Sequence, residues 1–322
     1  MINKASFTLT AAVVAGVLGL GLTIPLEAQQ WEEQIRGSAG EQGVQNLRPR
    51  GQPVVPVFDG WVQEEDGTAS LCFGYFNLNF DEALEIPIGP NNYIEPEEYN
   101  GLQPTRFNPV PLGGARKPRH YCVFSINVPQ GGGQDIVWNL RRHYGDTYSV
   151  PAHSGVVHYR VPDIYFETDR GQRGGSVGPI VHLIEPEGPE GIGKGLRGGK
   201  RVGPVSAGVG EPLTLTLAVR QPTAEEYSGV APYYEARDPG YAEGGLRTFE
   251  VTWQKYSGPP DIEGNVTFSD NYIEVGPGEG TSTIQATFEE PGDYVLLVQV
   301  LGGGYPNQCC WTNSYVEVNV SP

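Results

Sequence analysis

Beyond its first 28 residues the chain has no apolar run long enough to span a bilayer, so a multi-spanning membrane protein is excluded. Lysine and arginine are scarce, 21 against 38 acidic residues, which leaves a net charge of −17. A protein with that balance lacks the clustered cations that nucleic acid or an anionic membrane needs, so neither is an expected partner. Residues that favour helices are few, whereas the 45 glycines and 28 prolines punctuate short strands, and a helical fold is excluded in turn. No histidine follows His182. No Cys/His spacing fits a zinc site, and no stretch fits an EF-hand calcium loop.

What is present begins with an export signal. Lys4 precedes a stretch without charge from Phe7 to Ile24, and Ala28 is a suitable cleavage position. The alternative is an uncleaved N-terminal anchor, the one route by which this chain would meet a membrane. Removing residues 1–28 takes one Lys and one Glu and leaves the net charge unchanged. Residues 29–52 are polar and aperiodic and read as a flexible leader.

The rest predicts an all-β protein of two β-sandwich domains. The first spans 53–168, with strands at Val54–Gln63 and Thr68–Asn79 around an Asp66-Gly67 hairpin turn. Further strands are expected at Glu85–Ile88, His120–Val128, Asp135–Arg142 and Thr147–Val150. Cys122, Phe124, Ile126 and Val128 alternate and are expected to face the core. The cluster Arg116, Lys117 and Arg119 reads as an ion-paired loop. A Gly-rich linker, 169–210, contains the first strand of the second domain at Gly178–Glu185, followed by a long loop, Pro186–Gly210. The second domain, 211–322, adds six strands marked by Leu213–Val219, Phe249–Trp253, Val266–Phe268, Ile284–Phe288, Tyr294–Val300 and Val316–Val320. Seven strands with a core Trp253 and a corner Tyr294 after Pro291-Gly292 make an immunoglobulin-like count.

Val251-Thr-Trp253, Ser257-Gly-Pro259, Val266–Ser269, Ala286-Thr-Phe288 and Pro291-Gly-Asp-Tyr294 resemble the PKD/Ig-like modules of bacterial exported and cell-surface proteins, over about residues 205–322. The runs Phe73–Asn79 and Ile86–Pro96 of the first domain are similar to a group of exported bacterial proteins. The resemblance implies a spacer or interaction domain and carries no catalytic residue. Fold alone does not fix function.

Four cysteines are present. Cys72 and Cys122 are the two of the first domain, and an exported chain is expected to bridge them at a gain of about 3–4 kcal/mol. Cys309 and Cys310 are neighbours and are expected to close on each other as a clip. Alternatives are a redox or soft-metal role, which would make the chain a metal- or redox-handling accessory protein, and free or intermolecular thiols.

Three motif matches are products of glycine density. Gly188–Lys194 has a P-loop spacing, but Gly195 stands where Ser or Thr is required. Gly193–Gly198 matches a dinucleotide fingerprint without the helix that must follow. Gly174–Gly178 around Ser176 matches a nucleophile elbow, but the histidine it needs later in the chain is His182, six residues on, with none after it. A hydrolase would need an unrecognised site. His143, His153 and His158 form the only three-histidine candidate, and the default for each is a solvated ring.

A binding surface is expected on two loops at one end of the second domain. The loop Gln221–Arg247 carries Tyr227, Tyr233, Tyr234, Asp238 and Tyr241, and the loop Leu301–Trp311 carries Tyr305 with the cysteine pair. Tyrosines give rigid amphipathic contact area, suited to a protein or glycan partner at the cell surface. The acidic side chains beside them are compatible with Ca²⁺, although no cofactor is required. The expected function is a non-enzymatic binding or structural module that is exported to the periplasm, the medium or the cell surface.

Overall fold

The computed structural model describes residues 49–64, 66–109, 119–129, 131–133, 135–142, 145–152, 154, 179–191, 193, 195–197, 199–221, 248–260, 264–302 and 311–322. Among them the one helical element is a single 3₁₀ turn, Glu97–Tyr99. The chain is an all-β protein of two sandwiches.

The N-terminal sandwich is built from β1 (Val54–Gln63), β2 (Thr68–Asn77), β3 (Leu84–Glu85), β4 (Asn92–Glu95), β5 (Arg106–Phe107), β6 (Arg119–Pro129), β7 (Val137–Arg141) and β8 (Thr147–Pro151). Two three-stranded sheets, β1-β2-β6 and β4-β7-β8, are accompanied by the ribbon β3-β5. Phe73, Phe124 and Trp138 lock the sheets, with Phe73 stacked on Phe124 at 5.0 Å and Trp138 edge-on to Phe124 at 5.0 Å. The β1–β2 hairpin turns at Asp66-Gly67, where Gly67 adopts φ +83° and Asp66 accepts from the Thr68 amide and hydroxyl. β4 and β5, unmarked by alternation, lie in a stretch held by side-chain amides. Asn92 donates to the Ile86 and Pro104 carbonyls and accepts from Trp138 Nε1. Asn77 donates to the carbonyls of Glu82 and Phe107. The asparagines of the two quoted motifs therefore serve as internal clamps.

The expected inward face of β6 needs one correction. Phe124, Ile126 and Val128 join the main core, but Cys122 forms a separate buried cluster with Cys72. A bulge opposite Gly74 breaks the β2–β6 register between Phe73 and Tyr75, so the alternation slips and Val123 takes the core side.

The C-terminal sandwich contains β9 (Ile180–Glu185), β10 (Glu190–Gly191), β11 (Lys200–Gly208), β12 (Leu213–Arg220), β13 (Phe249–Ser257), β14 (Val266–Phe268), β15 (Tyr272–Val275), β16 (Glu279–Phe288), β17 (Gly292–Gly302) and β18 (Trp311–Ser321). Its sheets run β10-β9-β12-β16-β14 and β11-β18-β17-β13-β15. The seven expected strands are there in an immunoglobulin-like order, joined by β10, β11 and β15. Trp253 is buried on the inner face and Tyr294 closes the corner, its hydroxyl donating to Glu290 O at 2.9 Å. Pro186–Gly210, expected as one loop, holds β10 and β11 instead. β11 pairs parallel with β18, and a register shift between Val202 and Val205 hides its alternation in the sequence.

Candidate functional site

In a two-layer sandwich the outer face of a sheet normally meets water. On the sheet containing β13, β17 and β18 the outward side chains are instead buried: Gln254, Tyr256, Leu297, Gln299, Asn313 and Tyr315. Their inward neighbours Trp253, Val298, Val300 and Val316 fill the C-terminal core. The outward set meets the N-terminal sandwich, and Tyr256, Leu297 and Tyr315 belong to its apolar cluster. The two sandwiches are joined by a buried seam.

The seam's polar centre is a chain of hydrogen bonds. Asn313 Nδ2 donates to the carbonyls of Tyr121 and Cys122 at 3.0 and 3.1 Å, and the Tyr315 hydroxyl donates to Val123 O at 2.8 Å. These bonds satisfy carbonyls of the β6 bulge, whose residues have no partner in the β2 ladder. Gln299 Nε2 donates to Asn313 Oδ1 at 3.1 Å, and Gln254 Nε2 donates to Gln299 Oε1 at 2.8 Å. His120, wholly buried in the seam, places Nδ1 2.6 Å from Gln299 Oε1 and Nε2 3.0 Å from Asn108 O. Burial pushes its pKa down to about 4, against the pull of those two bonds. The ring stacks on Tyr75 at 4.6 Å.

Beside this chain lies a charged triad. Glu85 Oε1 accepts from Arg106 Nη1 at 3.0 Å and from Lys255 Nζ at 2.9 Å, so β3 and β5 are pinned to β13. Lys255 also donates to Pro259 O and Asn265 Oδ1. Burial raises the Glu85 carboxyl above its ordinary range although both cations pull it down. A cleft of about 280 Å³ opens here, lined by Arg106, Asn108, Gln254, Gly264, Phe268 and Asn271 among others.

Cys72 and Cys122 form a disulfide across β2 and β6. Cys122 has φ +43°, and its amide donates to Asp59 Oδ2 at 2.7 Å. The carboxylate reaches that amide through the space left by Gly74, where a Cβ would lie 2.4 Å from Asp59 Oδ2. Arg119 pairs with Asp59 and lies 4.5 Å from the Tyr121 ring centroid. Burial lifts the Asp59 carboxyl above its ordinary range, against the opposing pull of Arg119 and the Cys122 amide.

Gly193 and Gly195 of the rejected nucleotide motifs have a packing role. A Cβ on Gly193 would lie 1.8 Å from Asn313 O, and one on Gly195 2.3 Å from the Phe124 carbonyl carbon. The segment threads between β18 and β6, buries Leu196 in the N-terminal core and leads into β11, a strand.

Tyr227, Tyr233, Tyr234, Asp238, Tyr241, Tyr305, Cys309 and Cys310 lie outside the described residues, as do Ser176, His143, His153, His158 and the N-terminal segment 1–48. The strand ends from which the two loops leave are described. Phe249 pairs with Gly302, Leu301 pairs with Trp311, and Arg220 pairs with Ile180. Thr312 Oγ1 donates to Pro179 O, which brings the β18 and β9 ends together. Among the described residues no group of three or more His, Cys, Asp or Glu is placed to hold a metal ion, and no helix is long and apolar enough to cross a membrane.

Reading the sequence missed the seam, because Gln254, Gln299 and Asn313 occupy the polar phase of their strands and look solvated. The available signal was Tyr256, Leu297 and Tyr315, aromatic or apolar in that same outward phase.

No family model and no curated protein matches this chain. Among solved structures it is similar to the periplasmic chaperone SfaE, at 10% identity over 38% of this chain with a TM-score of 0.23. It spans about half of that protein's length, 54%. It is also similar to the adhesin InvE of Yersinia pseudotuberculosis, at 10% identity over 83% of this chain and 58% of that one, TM-score 0.25. The D00-D0 domain of intimin is similar at 9% identity, over 83% of this chain and 99% of that one, TM-score 0.23.

Proposed function

We propose that the chain is an exported, non-enzymatic binding or structural module of the cell surface or periplasm, with a PKD/Ig-like C-terminal domain. Residues 1–28 are its export signal, 29–52 a leader, 53–168 the N-terminal domain, 169–210 a connecting segment that contributes strands to the second domain, and 211–322 the rest of that domain. The observation that carries the reading is the seam. Buried amides, a charged triad and shared apolar side chains tie the two sandwiches together, which suits a rigid spacer presenting one end of the C-terminal sandwich. At that end Tyr227, Tyr233, Tyr234, Asp238, Tyr241 and Tyr305 meet a protein or glycan partner, and Cys309–Cys310 clips the second loop.

The test is binding of the purified chain to a glycan array and to a panel of surface proteins. Tyr233→Ala combined with Tyr234→Ala is expected to reduce a detected interaction at least tenfold without changing the melting temperature. Undiminished binding by the double variant sinks the assignment of that loop.

A further inference from the structure

At Lys255 a buried amine meets an amide and a carboxyl. Its Nζ donates to Asn265 Oδ1 at 3.0 Å, to Glu85 Oε1 at 2.9 Å and to the Pro259 carbonyl at 2.6 Å. All three side chains are withdrawn from water: Lys255 and Asn265 are 3% exposed, and the Glu85 side chain 11%. Asn265 Nδ2 donates to the same Pro259 carbonyl at 2.9 Å, which turns Oδ1 toward the amine. The amide carbon is one C=O bond, about 1.2 Å, from Oδ1, so it lies within about 4.2 Å of Nζ. The second carboxyl oxygen, Glu85 Oε2, is buried without a hydrogen-bond partner. A buried ion pair that only holds charge is weakened by such an oxygen, whereas a group that passes protons needs a vacant lone pair.

We propose that Lys255 and Asn265 join in an isopeptide bond that the folded chain forms by itself, with Glu85 moving the protons. Nζ first gives a proton to Glu85 Oε1 along their hydrogen bond. The freed lone pair attacks Asn265 Cγ, a C–N bond forms, and the carbonyl electrons move onto Oδ1. A second proton leaves Nζ and reaches Nδ2 by way of the carboxyl. The Cγ–Nδ2 bond then breaks with its electron pair on nitrogen, Oδ1 returns to a carbonyl, and ammonia departs. The first proton stays on Glu85 until ammonia carries it away as ammonium. An amine and a primary amide become a secondary amide and ammonia, with nothing oxidised or reduced.

The surroundings favour each step. Holding amine and amide together is equivalent to a concentration of about 10⁵–10⁸ M once the attack geometry is reached. Burial keeps out the water that would compete for the amide. Arg106 Nη1, also on Glu85 Oε1, favours the carboxylate, but burial prevails and raises the carboxyl above its ordinary range, which helps it to accept the proton. The cleft lined by Lys255 and Gly264 is an exit for ammonia.

The placement gives the bond its meaning. Lys255 lies on β13 and Asn265 directly precedes β14, so the bond ties the two sheets of the C-terminal sandwich to each other. The proton carrier comes from β3 of the N-terminal sandwich. The cross-link within one sandwich therefore forms only after the other has docked on it.

The experiment is the intact mass of the purified full chain, with its cysteines reduced, followed by tryptic mapping. The wild type is expected to be lighter than its sequence by one ammonia and to resist trypsin after Lys255. Lys255→Met is expected to keep its full sequence mass. Glu85→Gln is expected to close the bond at least about a hundredfold more slowly, the usual contribution of a positioned acid–base group. A wild-type chain of full sequence mass overturns the proposal. Loss of ammonia with normal cleavage after Lys255 overturns it too, because Asn265 has then cyclised on its own backbone. Loss of water in place of ammonia puts the bond on a carboxyl and overturns the role of Asn265. Closure of Glu85→Gln at the wild-type rate overturns the role of Glu85. The wild-type mass and map decide the bond even where a variant does not fold.

Discussion

The two sandwiches solve the same problem with different means. In the C-terminal one, strands of 8 to 11 residues such as β12, β13, β16, β17 and β18 pair over most of their length. Their backbone groups are satisfied in ladders, and alternation presents one continuous apolar face. In the N-terminal one β1, β2 and β6 are equally long, but β3 and β5 have two residues each and β4 has four. Strands so short leave carbonyls without ladder partners, and the molecule meets that need with Asn77 and Asn92. Long alternation lets the backbone do the holding, whereas short strands hand it to individual side chains.

The comparison breaks most severely at Trp253. The side chain is 1% exposed at the centre of the C-terminal core. Trp253→Ala is expected to lower stability by about 3–5 kcal/mol in urea denaturation. A loss below about 1 kcal/mol would mean that the ring does not hold that core. The corresponding lever on the other side is the disulfide. Cys72→Ala with Cys122→Ala is expected to lower the stability of the N-terminal sandwich by about 2–5 kcal/mol, since the bridge constrains a 50-residue separation in the unfolded chain. Unfolding curves that coincide for the bridged and unbridged proteins would show that the amide clamps suffice alone.

This division also explains what the sequence disclosed. The seven expected strands of the C-terminal sandwich, its Trp253 and its Tyr294 were legible because alternation and turn residues are local signals. β1, β2 and β6 to β8 were legible for the same reason. β4 and β5 were not, since their geometry is imposed by Asn92 and Asn77 reaching across the chain, a long-range effect with no period. β11 escaped because its shifted pairing interrupts the alternation. The Cys72–Cys122 pairing was readable from the number and placement of the cysteines, but the bulge at Cys122, where Asp59 passes beside Gly74, was not. The seam was hidden for a further reason. A glutamine in the outward phase reads the same in sequence whether water or a second sandwich lies above it.

The clamp itself can be tested at Asn92, which is wholly buried and bonded to Ile86 O, Pro104 O and Trp138 Nε1. Asn92→Ala leaves these buried groups without partners, and each unsatisfied group costs about 1–3 kcal/mol unless water enters. A total of about 3 kcal/mol or more is expected, read from the denaturation midpoint of the N-terminal sandwich. A polar substitution on the outer face of β12, such as Thr216→Ala, is expected to change stability by less than about 0.5 kcal/mol. Equal effects at the two positions would remove the distinction between a sandwich held by side chains and one held by ladders.

The smallest effect sharpens the comparison most, because it isolates a single side-chain bond in the sandwich that otherwise depends on its backbone. The Tyr294 ring is buried against Phe288 at 4.9 Å, and its hydroxyl donates to Glu290 O at 2.9 Å. Tyr294→Phe keeps the ring and removes only the hydroxyl, leaving a carbonyl close to the surface where water substitutes for the lost donor. The expected loss is about 1 kcal/mol, with no change in the denaturant slope, since the buried area is the same. The corner would then be an adjustment to a fold already closed by its ladders. A loss of 3 kcal/mol or more would place Tyr294 beside Asn92 as a clamp, and both sandwiches would depend on side chains to hold their turns.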